Sequence, residues 1–327
     1  MKHILVLLMA IALVAIPTDL SAQSSHVSKR ERAALPDTVL NCNSKYIAVF
    51  GDMQIYFAYD SYVPYYQGAL DWIANHSDRI AFCLHTGDIT NDNLVSQWNR
   101  FYNATEQFTS VMPFYSCIGN HDYYCNATNP WCHRDSTRFS NYVGFPSTVS
   151  HIVSYFEPGK YENVVVRENL DGEVVNLLLL EMEPRTPAVK WADEYVKAHA
   201  DENFILVTHR YISANAKRYR NLGYMTDTVS KAGQYVWKNL VYNNDNIRCV
   251  LCGHVSSRTR VLYSTNSQGR IVPQIEFNIQ HEPHGGNGLI QLWEFPKDDD
   301  NVYIRTFNAY QHKYVTDSIT EYQFKYR

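Results

Sequence analysis

The chain has 327 residues, with 29 Lys and Arg against 33 Asp and Glu, and a formal net charge of −4. Its hydrophobic fraction of 45% and charged fraction of 19% are those of a globular protein and exclude a largely disordered chain. The slightly acidic balance argues against a nucleic-acid-binding protein, because such proteins need a basic face.

The N-terminus predicts a secretory signal peptide at residues 1–22. Lys2 and His3 precede an apolar run over residues 4–16, Pro17 ends the run, and Ala22 offers a small residue for cleavage. The run is shorter than the roughly 20 residues that span a bilayer, so an uncleaved anchor is the less favoured alternative. We therefore expect an exported protein, periplasmic, secreted or at the cell surface, with no transmembrane segment in the mature chain.

Residues 23–44 are expected to form a flexible lead-in, and residues 45–327 a single domain with a β-rich C-terminal part. From residue 46 to 252, short apolar runs alternate with segments of helical spacing. The predicted strands are 46–50, 80–84, 114–118, 163–167, 174–180, 204–207 and 247–252. The predicted helices are 65–75, 94–108, 186–200 and 229–242, the third with Thr186 as its cap. Between them, residues 122–146 form a long irregular loop.

After residue 258 the pattern changes to strands alone, at 260–263, 274–277, 289–295 and 302–307. Strands that alternate with helices predict βαβ units and a sheet covered on both faces. Together, the two patterns predict the α/β class: two β-sheets packed face to face, with helices outside.

Seven cysteines follow the predicted signal peptide, and an exported protein permits disulfides. Cys125 and Cys132 bracket a short polar loop and are the best local pair. Cys249 and Cys252 have the spacing of a zinc or redox motif, but they lie in an apolar run that predicts a buried strand. Residues three apart on a strand point to opposite faces, which argues against a shared ligand site.

Five polar clusters each follow a predicted strand. Because binding sites in α/β sheets form beyond the carboxyl ends of strands, these clusters are expected to converge. Carboxylate, amide and imidazole groups together suit a divalent metal such as Mn, Fe or Zn. The residues that carry this chemistry are Asp52, Gln54, Asp88, Asn120, His209 and His254.

The order and spacing of the five clusters resemble the calcineurin-like metallophosphoesterase superfamily. The family pattern reads Gly-Asp-x-His, Gly-Asp-x-x-Asp/Asn, Gly-Asn-His-Asp/Glu, a lone His after a strand, and Gly-His-x-His. The resemblance covers about residues 46–256 and implies a four-layer α/β/β/α sandwich. The β-rich tail is compatible with the second sheet of that sandwich.

By this resemblance, Asp88 bridges two metal ions. Asn120, His209 and His254 complete one site, and Asp52 with residue 54 serves the other. His121 is implied to act beside the substrate phosphate as general acid or transition-state stabiliser. The implied reaction is hydrolysis of a phosphomonoester or phosphodiester by a metal-activated hydroxide. The substrate is expected to be a phosphorylated small molecule, a glycan or a lipid headgroup, and no protein partner is evident.

Two departures from the family pattern fall on the same metal site. Gln54 stands where the family usually has His, and Ser256 stands where the second His of the last motif is expected. A Gln oxygen can bind a hard cation, and some branches of the superfamily carry Gln there. Gln280 and His281 lie in the tail and could substitute, although nothing in the sequence positions them.

The departures leave a second function open. The chain either hydrolyses a phosphoester, or it kept the fold with weak or no catalysis and binds a phosphorylated ligand. The retained Asp88 and His121 favour the enzyme, because a protein that only binds its ligand has little need of a general acid.

Overall fold

The computed structural model describes residues 40–124, 131–255, 258–316 and 321–327. The predicted signal peptide and most of the predicted lead-in lie outside these ranges. So do Ser256 and Cys125, and with Cys125 the predicted Cys125–Cys132 pairing.

Helices are interspersed with the strands in the first two thirds of the described chain. The strands are β1 (Ser44–Phe50), β2 (Ile80–His85), β3 (Phe114–Ser116), β4 (Ile152–Tyr155), β5 (Val164–Leu170), β6 (Glu173–Leu179), β7 (Phe204–Val207), β8 (Ile247–Cys252), β9 (Thr259–Thr265), β10 (Ile271–Phe277), β11 (Leu289–Pro296), β12 (Asn301–Asn308), β13 (Lys313–Tyr314) and β14 (Glu321–Lys325). The α-helices are α1 (Gln54–Ala58), α2 (Val63–Ala74), α3 (Val95–Thr109), α4 (Phe139–Tyr142), α5 (Pro146–Val149), α6 (Thr186–Ala198) and α7 (Gly233–Val236). Among the helices described, none has both the length and the apolar character that crossing a membrane requires.

The strands form two mixed sheets of seven strands each. The first has the order β13-β12-β11-β1-β2-β3, with β14 also paired to β12, and the second has the order β4-β5-β6-β7-β8-β10-β9. Strands β1, β2 and β3 run parallel to one another in the first sheet. Strands β6, β7, β8 and β10 run parallel in the second. Each sheet therefore presents several carboxyl ends at one edge.

Alternating apolar side chains hold the layers together. Leu177 and Leu179 belong to the larger apolar cluster, which also contains side chains of the first sheet, α2 and α3. Leu178 and Leu180 point the other way, into a smaller cluster with Val189 and other residues of α6. The layers are thus helix, sheet, sheet and helix, which confirms the predicted fold class.

Cys249 and Cys252 obey the same alternation. Both are buried and free, and Cys249 belongs to the larger cluster while Cys252 belongs to the smaller one. The two thiols face opposite sides of the second sheet, as the spacing of three residues on a strand predicts.

The β-rich tail, which the resemblance made compatible with the second sheet, divides between the two sheets. Strands β9 and β10 join the second sheet, but β11 pairs antiparallel with β1 and extends the first. The physical reason is that β1, a central strand rich in apolar residues, needs a partner on its second edge, and β11 supplies it.

One predicted helix start and one predicted helix cap are wrong. The helix predicted from residue 229 begins only at Gly233, because the Asp227 carboxylate accepts hydrogen bonds from the backbone N–H groups of Val229 and Ser230 and holds them in a turn. Thr186 does not cap its helix: it is the first helical residue, Arg185 occupies the cap position, and the Thr186 hydroxyl donates to the Val229 carbonyl instead.

Candidate metal centre

Six strand ends from the two sheets meet at one place. Asp52, Asp88 and Asn120 follow the parallel strands β1, β2 and β3 of the first sheet, with Asn120 four residues beyond the end of β3. His209 and His254 follow β7 and β8 of the second sheet, and residues 278–280 follow β10. The convergence that the sequence predicted is therefore present, and it spans the seam between the sheets.

Asp52 links the two sheets. Its side chain is fully buried, and it accepts hydrogen bonds from Asn278 Nδ2 at 2.6 Å and from Thr86 Oγ1 at 3.3 Å. The backbone N–H of His254 donates to both carboxylate oxygens, at 3.1 and 2.9 Å. A Cβ on Gly253 would lie 2.1 Å from Asp52 Oδ1, so this approach requires glycine.

Asp88 lies at the centre of the cluster. Its Oδ2 is 3.2 Å from His209 Nε2, and its Oδ1 accepts the backbone N–H of His121 at 2.9 Å. Asp52, Asp88 and His209 each offer one ligand atom, and these atoms lie within 4.8 Å of one another. Such a group of buried carboxylates and imidazole has the chemistry of a divalent metal site.

Asn120, His209 and His254 form the other half of the cluster. Asn120 Oδ1 is 3.1 Å from His209 Nε2 and 2.8 Å from His254 Nδ1. His209 Nδ1 is 2.9 Å from the Thr86 carbonyl oxygen. Since a carbonyl only accepts, His209 Nδ1 carries a proton, and in the neutral ring Nε2 is left with its lone pair. Three donor atoms thus face a common point.

Asp88 and His254 have φ angles of +63° and +81°. Side chains other than glycine rarely adopt this left-handed conformation, which costs roughly 1–2 kcal/mol. His254 follows β8 after one residue, and Asp88 follows β2 after two. The backbone N–H groups of both donate hydrogen bonds to carboxylates of other strand-end loops, that of His254 to Asp52 and that of Asp88 to Asp122. The packing of the sheet edge therefore maintains strained backbone at the two positions that the site needs.

Gln54 is the first residue of α1 and is fully buried. Its Nε2 donates to Gln280 Oε1. Its own Oε1 has no hydrogen-bond partner among the residues that the structure describes. A buried amide oxygen without a partner costs about 1–3 kcal/mol, and a cation is one partner that would relieve this cost.

His121 is half-buried beside Asp88. Its Nδ1 is 2.7 Å from the Asn91 carbonyl oxygen, so Nδ1 donates there and Nε2 is left for another partner. Burial lowers the pKa of His121, but the negative charge of Asp88 and the bond to Asn91 outweigh burial and raise the pKa above its ordinary value. His121 is therefore biased toward the protonated form that a general acid needs.

The protein's own groups shift one another's pKa strongly. Burial, with the charge of Asp88 added, raises the pKa of Asp52 to about 8 although His209 opposes it. Burial also opposes ionisation of Asp88, but His209 and His121 prevail and lower its pKa. Burial lowers the pKa of His209 and the two carboxylates raise it, with a net rise to about 9. Burial and the charge of His209 lower the pKa of His254 to about 3, so His254 is neutral and able to bind a metal.

Asp122 fastens two of the strand-end loops together, a role that the sequence did not assign to it. The carboxylate is fully buried and accepts four backbone N–H groups, those of Asp88, Ile89, Thr90 and Gly119, at 3.0, 3.2, 2.8 and 3.1 Å. The second and third motifs are therefore joined by one side chain that does not itself reach the metal cluster.

Asp122→Ala is expected to lower the free energy of unfolding by about 3 kcal/mol or more, because each buried donor left without an acceptor costs about 1–3 kcal/mol. Urea unfolding of the two proteins measures the difference. Asp78→Ala, which removes an exposed carboxylate paired with Arg79 at the surface, is the control and is expected to cost under about 1 kcal/mol. Equal stability of Asp122→Ala and Asp78→Ala would contradict this role.

Sequence reasoning missed two further groups at the site. Asn278 holds Asp52 and forms an isolated parallel bridge with it. Its signal was a polar residue directly after the predicted strand 274–277, as in the other clusters. Glu183 is buried and accepts hydrogen bonds from Arg210 and from the backbone of Gly223 and Met225, and it thereby places the 223–225 loop next to His254. No motif surrounds Glu183.

The model of the calcineurin-like phosphoesterase family matches residues 45–257. The match covers well over half of the chain and includes all five strand-end clusters. The chain belongs to the calcineurin-like phosphoesterase family. The fold and the convergence of carboxylates, amide and imidazoles described above agree with that membership.

One sequence relative and one solved structure extend the comparison. The uncharacterized protein YvnB of Bacillus subtilis (strain 168) is 26% identical over 283 residues, which are 80% of this chain and 20% of YvnB. The chain thus spans about a fifth of that relative's length. The purple acid phosphatase PPD1 from yellow lupin seeds superposes with a TM-score of 0.53 at 13% identity, over 86% of this chain and 54% of the phosphatase. The likeness to PPD1 shows the shared fold.

Proposed function

We propose that this chain is an exported, metal-dependent phosphoesterase that hydrolyses a phosphomonoester or a phosphodiester. The observation that carries the proposal is the buried group of Asp52, Asp88 and His209, whose ligand atoms lie within 4.8 Å of one another at the edge where both sheets end. In a member of the calcineurin-like phosphoesterase family, this is the place where a phosphoester would bind.

The residues present fit a pair of divalent ions, with Mn, Fe or Zn as candidates. Asn120, His209 and His254 would hold one ion, Asp52 and Gln54 the other, and Asp88 would be shared. The unpartnered Gln54 Oε1 supports this fit. When bound, such ions polarise phosphoryl oxygens and lower the pKa of water.

His121 supplies the proton chemistry in this proposal. Its Nδ1 is fixed by the Asn91 carbonyl and its backbone N–H by Asp88, so the ring orientation is set before substrate binds. Its raised pKa keeps the proton available. Nε2 would donate this proton to the leaving oxygen of the ester. The proposed hydrolysis needs no covalent intermediate with the protein.

A binding protein for a phosphorylated ligand is the second candidate. Gln54 and Ser256, which replace two expected imidazoles, favour it, because both changes weaken the same metal site. Ser256 lies outside the residues that the structure describes. The arrangement of His121 favours the enzyme.

Hydrolysis tests the proposal. The mature protein is stripped of metal with a chelator, reconstituted with Mn²⁺, and assayed with bis(p-nitrophenyl) phosphate and p-nitrophenyl phosphate. We expect turnover with Mn²⁺ that disappears on chelation and returns on re-addition. Turnover that is indifferent to metal would contradict metal dependence. No turnover with either ester, together with saturable binding of phosphate to the Mn²⁺-loaded protein, would favour the binding protein.

Export is tested separately. The mature N-terminus of protein recovered from outside the cytoplasm is expected at Gln23, after removal of residues 1–22. Protein that keeps Met1 and sediments with membranes would contradict cleavage and favour an anchor.

A further inference from the structure

The metal position next to Gln54 lacks one of the ligands that the family pattern supplies, and the structure places another residue where it could take that role. We propose that Gln280 supplies an oxygen ligand to the ion held by Asp52 and Gln54, in place of the imidazole that the last motif lacks at Ser256. This inference rests on the proposed function, and it concerns a residue that lies outside all five motifs.

The first argument is the contact between the two amides. Gln54 Nε2 donates to Gln280 Oε1, so the tip of Gln280 lies directly against a residue of the site. The Gln54 side chain is fully buried, and its Oε1 has no partner among the described residues. An amide oxygen carries two lone pairs. Gln280 Oε1 can therefore accept from Gln54 and still bind a cation.

The second argument is the way in which Gln280 is anchored. Its backbone N–H donates to Asn278 Oδ1 at 2.9 Å, and Asn278 Nδ2 donates to Asp52 Oδ2 at 2.6 Å. Asn278 and Asp52 also form a parallel bridge between the ends of β10 and β1. Gln280 is thus connected to Asp52 through one side chain and to Gln54 through its own amide.

The third argument is chemical. Hard divalent cations take neutral amide oxygens together with carboxylates, as in calcium sites. His281, the other substitute that the sequence offered, is exposed, whereas Gln280 is half-buried at the contact with Gln54. With Gln280, the metal position beside Gln54 would have the Asp52 carboxylate, the shared Asp88 and two amide oxygens. All of these ligands are oxygens, whereas the other metal position also has the nitrogens of His209 and His254.

Counting bound metal tests the assignment without reference to activity. Metal-free protein is titrated with Mn²⁺, and free Mn²⁺ is measured by electron paramagnetic resonance. We expect two equivalents for the native protein and for Gln280→Glu, which keeps an oxygen at the same reach. Gln280→Leu is expected to keep one tight equivalent and to bind the second about 10–100-fold more weakly. Gln268→Leu, on the exposed turn after β9, is the matched control and is expected to keep both.

The alternative is that Gln280 only clamps α1 through Gln54. In that case Gln280→Leu would lower the melting temperature of the metal-free protein and leave both Mn²⁺ equivalents at native affinity, which would overturn the assignment. Fewer than two equivalents in the native protein would also overturn it. A native protein that binds no Mn²⁺ at all would contradict the proposed function itself, so the two failures are distinguishable.

Discussion

Asp88→Ala is expected to lower kcat/KM for Mn²⁺-dependent phosphoester hydrolysis by at least about 10³-fold, which corresponds to a loss of about 4 kcal/mol of transition-state stabilisation. The carboxylate lies 3.2 Å from His209 and within the group of converging ligand atoms with Asp52. Its removal deprives both proposed metal positions of a shared anion. Steady-state kinetics and the number of bound Mn²⁺ equivalents measure the effect.

Two controls separate this effect from damage to the fold. Asp88 has a φ of +63°, which Asn tolerates better than Ala, so Asp88→Asn removes the charge with less backbone cost and is expected to show a similar loss of metal. Asp71→Ala removes an exposed carboxylate on α2 and is expected to keep full activity. If Asp88→Asn stayed within tenfold of the native protein, the shared role of Asp88 would be wrong.

His121→Gln is expected to lower kcat for an alkyl phosphoester by about 10²–10⁴-fold while both Mn²⁺ equivalents remain bound. The reason is that His121 holds a proton near the site but is not among the proposed ligands. The loss is expected to be large for an alkyl phosphoester, whose leaving oxygen needs a proton. It is expected to be small for p-nitrophenyl phosphate, whose leaving group is stable as an anion. Comparing the two substrates isolates the proton transfer.

The pH profile gives an independent readout of the same role. A general acid works only while protonated, so activity of the native protein is expected to fall as the pH rises through the raised pKa of His121. His121→Gln is expected to lose this alkaline limb. His133→Gln, which alters an exposed imidazole, is the control. Loss of bound Mn²⁺ in His121→Gln would show instead that His121 serves the metal site.

The strands and helices that carry the motifs follow from local sequence. The apolar runs that became β1, β2, β7 and β8 are short and dense in residues that favour buried strands, and each ends at a polar residue or glycine. Buried parallel strands need apolar side chains on both faces, so their sequence signal is strong. The polar clusters that follow those strands carried the family resemblance. Their spacing along the chain is set by the positions at which the strands end, and those positions belong to the fold.

The features that the sequence did not give are those that depend on contacts between distant segments. The helix predicted from residue 229 starts late because the Asp227 carboxylate accepts hydrogen bonds from two backbone N–H groups. Helix propensity does not predict this turn, which competes with the first turn of the helix. The tail divides between the sheets because β1 pairs with β11, more than 200 residues away. Glu183 looks like an ordinary polar residue, and Asp122 like the end of the third motif with no role of its own, until the loops that they hold are folded against them.

The sequence by itself determined the family, the order of the strand-end clusters and the candidate ligands Asp52, Asp88, Asn120, His209 and His254, since spacing and residue type are local properties. It left the metal position beside Gln54 incomplete. Only the tertiary structure placed Gln280 against Gln54 and tied it through Asn278 to Asp52. The physical reason is that this neighbourhood arises where β10 of the second sheet ends beside β1 of the first, a contact between segments 226 residues apart.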